Sequence, residues 1–458
     1  MPLELPFPAS AEAAREVRHV GQVFTPQPIA ALMAEMFDPR PGDNLRALDA
    51  GAGAGALTDA LLSSRLSQSA QQVNMLLAEV DELLCDHLED AVADWERLSR
   101  GSVKVLNANF ISFADQAKED ATTFDAIISN PPYARIGKDT PERHPLKARY
   151  IRVPNLYGAF LWLSVELLAP QGQLVAIVPR SFCSGPQFAE LRRKMFSQCS
   201  LRRLHLFQSR TMVFPEDRVL QETVILHLVR DTQADNIELS WSPGLDLQAT
   251  HATTVPSDRV LQSQGNDYFI TIPASPEAAR QTGRAADHAL LLRSPVTAST
   301  GSVVDFRMKD YIVEEVDTKN VPLIGSPFVS KGHRSRRDGR LYLKRTDKTQ
   351  RHIFPIGNYI VVKRIAPKES TPRLMARLVT EQELRPHSGV AFENHVNVIH
   401  AGRKGLSAGQ AQHIMTSLAH PATQQQFEER SGTTQVNVSD LLSLHDPLEI
   451  RNKESHDD

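Results

Sequence analysis

The sequence predicts an α/β fold, a doubly wound sheet with helices on both faces, followed by a second domain of mixed α+β character. Three observations carry this. Short apolar runs alternate with helical patterns from Leu45 to Val229, the order that builds a mostly parallel sheet. A glycine loop, Gly51, Gly53 and Gly55, separates the first run from the first helix after it, and glycines there let backbone approach a ligand. A later run, Phe124 to Ile128, stops in Ser129-Asn130-Pro131-Pro132-Tyr133, because two successive prolines cannot donate to a ladder.

Taken in order, Met1 to His19 is a proline-rich start with a short helical pattern. Thr25 before Pro26 reads as a helix start for Ile29 to Phe37. It serves either as a plain N-cap or as a turn binding an anion at the helix N-terminus. A strand ends at Asp49 and a helix begins near Leu57. The glycine spacing is neither that of a dinucleotide fingerprint nor that of a P-loop. Val73 to Asp81 is a second strand ending in acids. Glu79 suits a ribose hydroxyl, whereas Asp81 suits a solvated strand end. Val103 to Leu106 is a third strand, followed by Asn109 and Phe110. That pair suits bonding and stacking of an adenine, while the burial habit of aromatics favours the core for Phe110.

After Tyr133, Ala134 to Arg152 is polar without periodicity and is expected to be a mobile loop. Asn155 opens a helix reaching Leu168, Pro170-Gln171-Gly172 makes a turn, and Gln173 to Pro179 is a strand. A helix from about Pro186 to Phe196 precedes two strands, Leu201 to Phe207 and Glu222 to Val229, expected to close the sheet antiparallel at one edge. The domain boundary falls at 230/231, giving domains 1–230 and 231–458.

The turn at Asn130 offers a side-chain amide, the Pro131 carbonyl and the Tyr133 ring. An exocyclic amine conjugated to an aromatic ring is a poor nucleophile. Two acceptors aimed at its N–H groups, Asn130 and Pro131, turn its lone pair out of the ring plane, and Tyr133 stacks on the ring. Taken alone, the same residues make a rigid turn after a buried strand.

Composition narrows the rest. Hydrophobic residues are 41% and the net charge is -3, so a nucleic-acid partner needs a local basic patch, not an overall field. Lys331 to His352 supplies one, with Lys331, Arg334, Arg336, Arg337, Arg340, Lys344 and Arg345 among its cations and only Asp338 and Asp347 as acids. No apolar run reaches membrane-span length, and the start lacks a signal-peptide pattern. Three scattered cysteines fit neither a zinc site nor a disulfide framework, so no metal is expected and the setting is read as cytoplasmic.

The order of these motifs resembles the S-adenosylmethionine-dependent DNA adenine-N6 methyltransferases of restriction-modification systems, in the gamma-type arrangement. The resemblance spans Gly21 to Val229. It implies a Rossmann-like class I methyltransferase sheet and a C-terminal DNA-recognition domain. It implies S-adenosylmethionine held by Thr25, Asp49, Gly51, Gly53, Gly55, Glu79, Asn109 and Phe110. Asn109 stands where the family usually has aspartate. Asn130, Pro131 and Tyr133 become catalytic, with Phe214, or Phe207 in competition, as the second ring around a flipped base. The basic stretch becomes a phosphate contact on double-stranded DNA, and the partner a separately encoded restriction endonuclease. No nuclease arrangement of Pro-Asp with Asp/Glu-x-Lys stands out in the chain. No Pro-Cys pair occurs, which disfavours cytosine-C5 chemistry. The competing readings are cytosine-N4 methylation, a glutamine-N5 or RNA adenine methyltransferase, and a non-enzymatic recognition subunit.

Overall fold

The first strands form as the apolar runs require. In this computed structural model the described residues are 24–40, 42–207, 222–244, 247, 250–273, 275–281, 290–291, 295–314, 317–331, 341–367, 370–431 and 434–448. Strands β1 (Gly42–Ala50), β2 (Ala70–Glu79), β3 (Val103–Asn107), β4 (Phe124–Ser129) and β5 (Leu168–Pro179) are joined by helices. They pair in parallel in the order β3-β2-β1-β4-β5. β6 (Cys199–Phe207) and β7 (Thr223–Arg230) follow. β7 inserts antiparallel between β5 and β6. The antiparallel pairing was expected; the insertion was not.

Alternation along each strand divides the core in two. Leu48, Ile127, Leu174 and Ala176 face one cluster. Ala47, Ala126, Ile128 and Val175 face the other. Helices α1 (Gln27–Glu35), α2 (Ala56–Ser63), α3 (Arg65–Ser69) and α4 (Glu82–Ser99) cover the second face. On the first face lie α5 (Phe110–Glu119), α6 (Arg143–Ala148), α7 (Leu156–Leu167) and α8 (Ala189–Phe196). Strands buried on both faces are why these runs read as continuously apolar.

Three expectations change. The sheet does not end at residue 230: β8 (Asn236–Ser242) pairs parallel with β6, and β9 (His251–Pro256) pairs antiparallel with β8. The first compact unit accordingly extends to residue 282, with 184–186 grouped in the second unit. Residues 134–152 are not merely loop, since α6 lies inside them. Asp81 is not a solvated strand-end acid. It is the N-cap of α4, accepting from the Leu83 and Leu84 amides at 2.9 and 3.2 Å, and it is buried.

The second unit is built by itself from two small sheets. One is antiparallel, in the spatial order Val296–Thr300, Val396–Ala401, Tyr359–Lys363, Ala376–Val379. Ile360, Val362 and Ile399 pack with the helices Ala408–Ala419 and Pro421–Arg430. Tyr359, Val361 and Val398 point into a separate cluster with Phe354 and Phe392. The other sheet has five strands, including Val321–Ile324 and Leu341–Leu343. Mixed α+β structure was the expectation here.

Candidate active site

Four of the parallel strands end at one edge, and the turns that leave them make the site. After β1, Gly51, Gly53 and Gly55 have φ of +84°, +56° and +83°, a region that costs any residue with a Cβ. The loop is then stitched to β2. Gly51 and Ala52 donate to the Ala78 carbonyl at 3.0 and 3.1 Å, and Gly53 donates to Glu79 Oε2 at 2.7 Å. The other Glu79 oxygen accepts from the Val80 and Asp81 amides at 2.9 and 3.0 Å. One carboxylate thus ties down three backbone donors. The rings of Phe24 and Phe160 lie 3.6 and 3.4 Å from where a Cβ on Gly53 and Gly51 would stand.

Gly55 has a packing role as well. A Cβ there would meet Trp95 at 2.7 Å and Leu88 at 2.9 Å, both on α4 and both fully buried. Gly55→Ala therefore combines left-handed strain with overpacking, an expected loss of about 2–4 kcal/mol. The check is denaturant unfolding: a midpoint unchanged from wild type would contradict it.

Asp49 lies under the glycine loop and is fully buried. Thr58 Oγ1 donates to its Oδ2 at 2.8 Å. Its Oδ1 has no hydrogen-bond partner among the described residues. Burial pushes this carboxyl up to about 7 against the Thr58 hydrogen bond, and the nearby Glu79 charge adds to the rise. A buried carboxylate oxygen left open beside a positive-φ glycine loop is a feature that a cation-bearing ligand would complete. Next to Glu79, Val80 is 54% exposed and Leu83 is 66% exposed. They form an apolar edge that the sequence reading passed over; the signal was an apolar residue directly after the strand-end acid.

At the end of β4, Ser129 donates to the Ala50 carbonyl at 2.6 Å, locking the exits of β4 and β1 together. Asn130 Nδ2 donates to Thr25 Oγ1 at 3.0 Å, a contact across 105 residues. That bond sets which end of the amide faces away from Thr25. The Tyr133 hydroxyl donates to Asn130 Oδ1 at 3.4 Å, and its ring stands edge-on to Tyr157, 6.2 Å between centroids. Burial holds the Tyr133 phenol above its ordinary range, so it stays neutral at any working pH. Tyr157 is stacked on Phe188 at 5.4 Å and hydrogen-bonded to Ser181 at 2.8 Å. The Pro131 carbonyl has no hydrogen-bond partner among the described residues.

The structure assigns the remaining candidates as follows. Thr25 is not the N-cap of α1. Pro26 is, without a side-chain bond, and the Thr25 hydroxyl serves Asn130. Asn109 caps α5 through the Ile111 amide at 2.9 Å, and its Nδ2 donates to Glu142 at 2.9 Å. An aspartate at 109 would face the Glu142 carboxylate instead, which accounts for the amide. The Phe110 ring belongs to the core, 4.6 Å from Phe160. Phe214 lies outside the described residues. Phe207, its competitor, is buried at the end of β6, edge-on to His205.

In the second unit, Arg334, Arg336, Arg337 and Arg340 also lie outside the described residues, as does the Lys331 side chain. Lys344 and Arg345 are exposed. Lys344 Nζ donates to the Asp310 carbonyl at 3.4 Å. Arg345 reaches Ser388 Oγ at 3.0 Å and Gln350 at 3.2 Å.

Residues 58–214 match the Eco57I restriction-modification methylase family. The chain is 31% identical over 439 residues to the type II methyltransferase M.BsuBI of Bacillus subtilis, covering 93% of this chain and 87% of that protein. It is 29% identical over 451 residues to the type II methyltransferase M.PstI of Providencia stuartii, with the same coverage. Among solved structures, the type IIL restriction-modification enzyme MmeI in complex with DNA aligns with a TM-score of 0.49 at 11% identity, over 86% of this chain and 61% of that one.

Proposed function

The chain belongs to the type II restriction-modification methyltransferases, and we propose that within that family it methylates the N6 amine of an adenine held outside the helix of duplex DNA. The observation that carries the reading is the turn at the end of β4. There the Asn130 amide is oriented by Thr25, the Pro131 carbonyl is open, and the Tyr133 ring lies beside them. Two acceptors and a stacking ring are what a planar, amine-bearing base requires.

S-adenosylmethionine supplies an electrophilic methyl group when bound. The residues that would hold it are Asp49, with its unpartnered oxygen, the Gly51 to Gly55 loop, Glu79, and the Val80 and Asn109 edge. Asn130 Oδ1 and the Pro131 carbonyl would accept from the target amine and localise its lone pair. Tyr133 would hold the base face, with Phe214 proposed opposite it. A base inside a duplex cannot reach such a turn, so it must leave the stack. Most of the acceleration then comes from holding amine and methyl in line.

The second unit is proposed as the DNA-recognition domain. Its stretch from Lys331 to Arg345 would neutralise phosphates, with the cognate nuclease encoded separately. Arg336, Arg337 and Arg340 changed together to Glu should weaken duplex binding at least tenfold and flatten its dependence on salt, each lost phosphate contact lowering the slope by about 0.9. A fluorescence-anisotropy salt titration reads this, and an unchanged slope removes the stretch from the interface. Among the described residues no helix is long and apolar enough to cross a membrane.

The test of the reaction is incubation with methyl-labelled S-adenosylmethionine and unmethylated duplex DNA, followed by digestion to nucleosides. N6-methyladenine is the expected product, and sequencing the modified fragments then gives the site. N4-methylcytosine would overturn the choice of base. Label found only in RNA or protein would overturn the choice of substrate.

A further inference from the structure

One residue after Tyr133 the chain leaves the site, and it returns at Asn155. Arg135 and Asn155 form an antiparallel bridge. The Ile136 amide donates to the Pro154 carbonyl at 3.0 Å and the Leu156 amide to the Ala134 carbonyl at 2.9 Å. The excursion between them is pinned at several points. Glu142 accepts from Asn109 at 2.9 Å. Arg149 pairs with Asp115 and Glu166. Leu146 and Ile151 are buried, and the Ile151 amide donates to the Leu146 carbonyl at 2.9 Å.

On this fixed base stands Tyr150, 79% exposed, its ring making no hydrogen bond or ring contact among the described residues. Its φ is +60°, a conformation that glycine or asparagine takes readily and a bulky residue does not. The neighbours Arg149 and Ile151 are both anchored, so the backbone is held in this strained state with the ring outward. Strain maintained at an exposed aromatic points to a use for the ring. The segment that carries it is rich in cations. Arg135, Lys138, Lys147 and Arg152 are exposed, while of the two acids in the segment, Asp139 and Glu142, the latter is taken by Asn109.

An outward aromatic ring on a segment with several exposed cations, whose two ends are bridged directly after the turn at Asn130 to Tyr133, matches stacked bases between phosphates. We propose that Tyr150 inserts into the base stack of duplex DNA at the target position and fills the space the extruded base leaves, while Arg135, Lys138, Lys147 and Arg152 contact the flanking phosphates. This rests on the DNA-methylation reading.

The test uses the full-length protein and a duplex carrying 2-aminopurine at the mapped target adenine. Wild type should raise the fluorescence of that base, and Tyr150→Phe should keep the rise. Tyr150→Ala and Tyr150→Gly should lose most of it and slow single-turnover methylation about tenfold or more. Their cofactor affinity should be unchanged, and the glycine variant should melt at or above the wild-type temperature. A mismatch opposite the target, which makes extrusion easier, should restore the alanine variant. Full fluorescence and wild-type rate in Tyr150→Ala would overturn the proposal, as would loss of self-association as its sole effect, which would make the ring a protein contact. Reduced cofactor affinity or melting temperature in that variant would overturn it in favour of a structural role. Absence of any rise in wild type would instead strike at the DNA-methylation reading beneath it.

Discussion

Asn130→Ala should lower single-turnover methyl transfer by at least about 10²–10³-fold, the range seen when one well-aimed polar group is removed from a reacting centre. Cofactor affinity and melting temperature should stay near wild type. The side chain is half-buried and its Nδ2 bond runs to a threonine hydroxyl, so its removal opens no large cavity and orphans no buried charge. Thr25→Val tests the same geometry from the other side. Without its hydroxyl the amide loses the bond that sets its orientation, and the rate should fall by a smaller factor, about tenfold. Thr25→Ser should recover it. Near-normal turnover in Asn130→Ala would leave the catalytic assignment without support.

The turn at 130–133 was legible because its chemistry is local. Two successive prolines leave a strand without backbone donors, and the strand before them is apolar on both faces. The partners that orient the turn were not legible. Thr25 meets Asn130 across 105 residues, and Ser129 meets the Ala50 carbonyl across 79; neither pair leaves a periodic trace. Asp81 shows the same limit in short range. An acid at a strand end and an acid at a helix N-cap are one residue in sequence, and only the helix starting at Glu82 decides between them. The first sheet runs past residue 230 for a topological reason. β8 reads as one more strand in an irregular region, yet it joins the first sheet because β7 inserts between β5 and β6 and leaves β6 open for pairing. Residues 134–152 lacked periodicity because their order comes from ion pairs and two buried side chains rather than an amphipathic face.

The second large effect concerns Asp49. Its carboxyl sits at about 7 in the folded protein against 3.8 as a free side chain, chiefly through burial. Between those values the folded chain holds a proton that the unfolded chain has lost. Stability contributed by this group is therefore present at low pH and is lost as pH rises from about 4 to about 7, up to about 4 kcal/mol in all. Asp49→Asn should remove that slope and leave the protein more stable than wild type at pH 8, provided Thr58 keeps its hydrogen bond to the amide oxygen. Binding should run the other way. S-adenosylmethionine carries an ammonium and a sulfonium, so it favours the ionised carboxylate and should expel the proton. Its affinity should rise with pH by up to about tenfold per unit until about pH 7 and then level off. Calorimetry at pH 6 in two buffers of different ionisation enthalpy would show proton release as a difference in heat. The asparagine variant should bind weakly, with the same heat in both buffers. Equal heats for wild type would mean that Asp49 is already ionised or plays no part in holding the ligand. Proton release, by contrast, would mean that the same residue lowers stability in the empty protein and strengthens binding in the loaded one, because the buried carboxyl is ionised only at a cost that the ligand's cations offset.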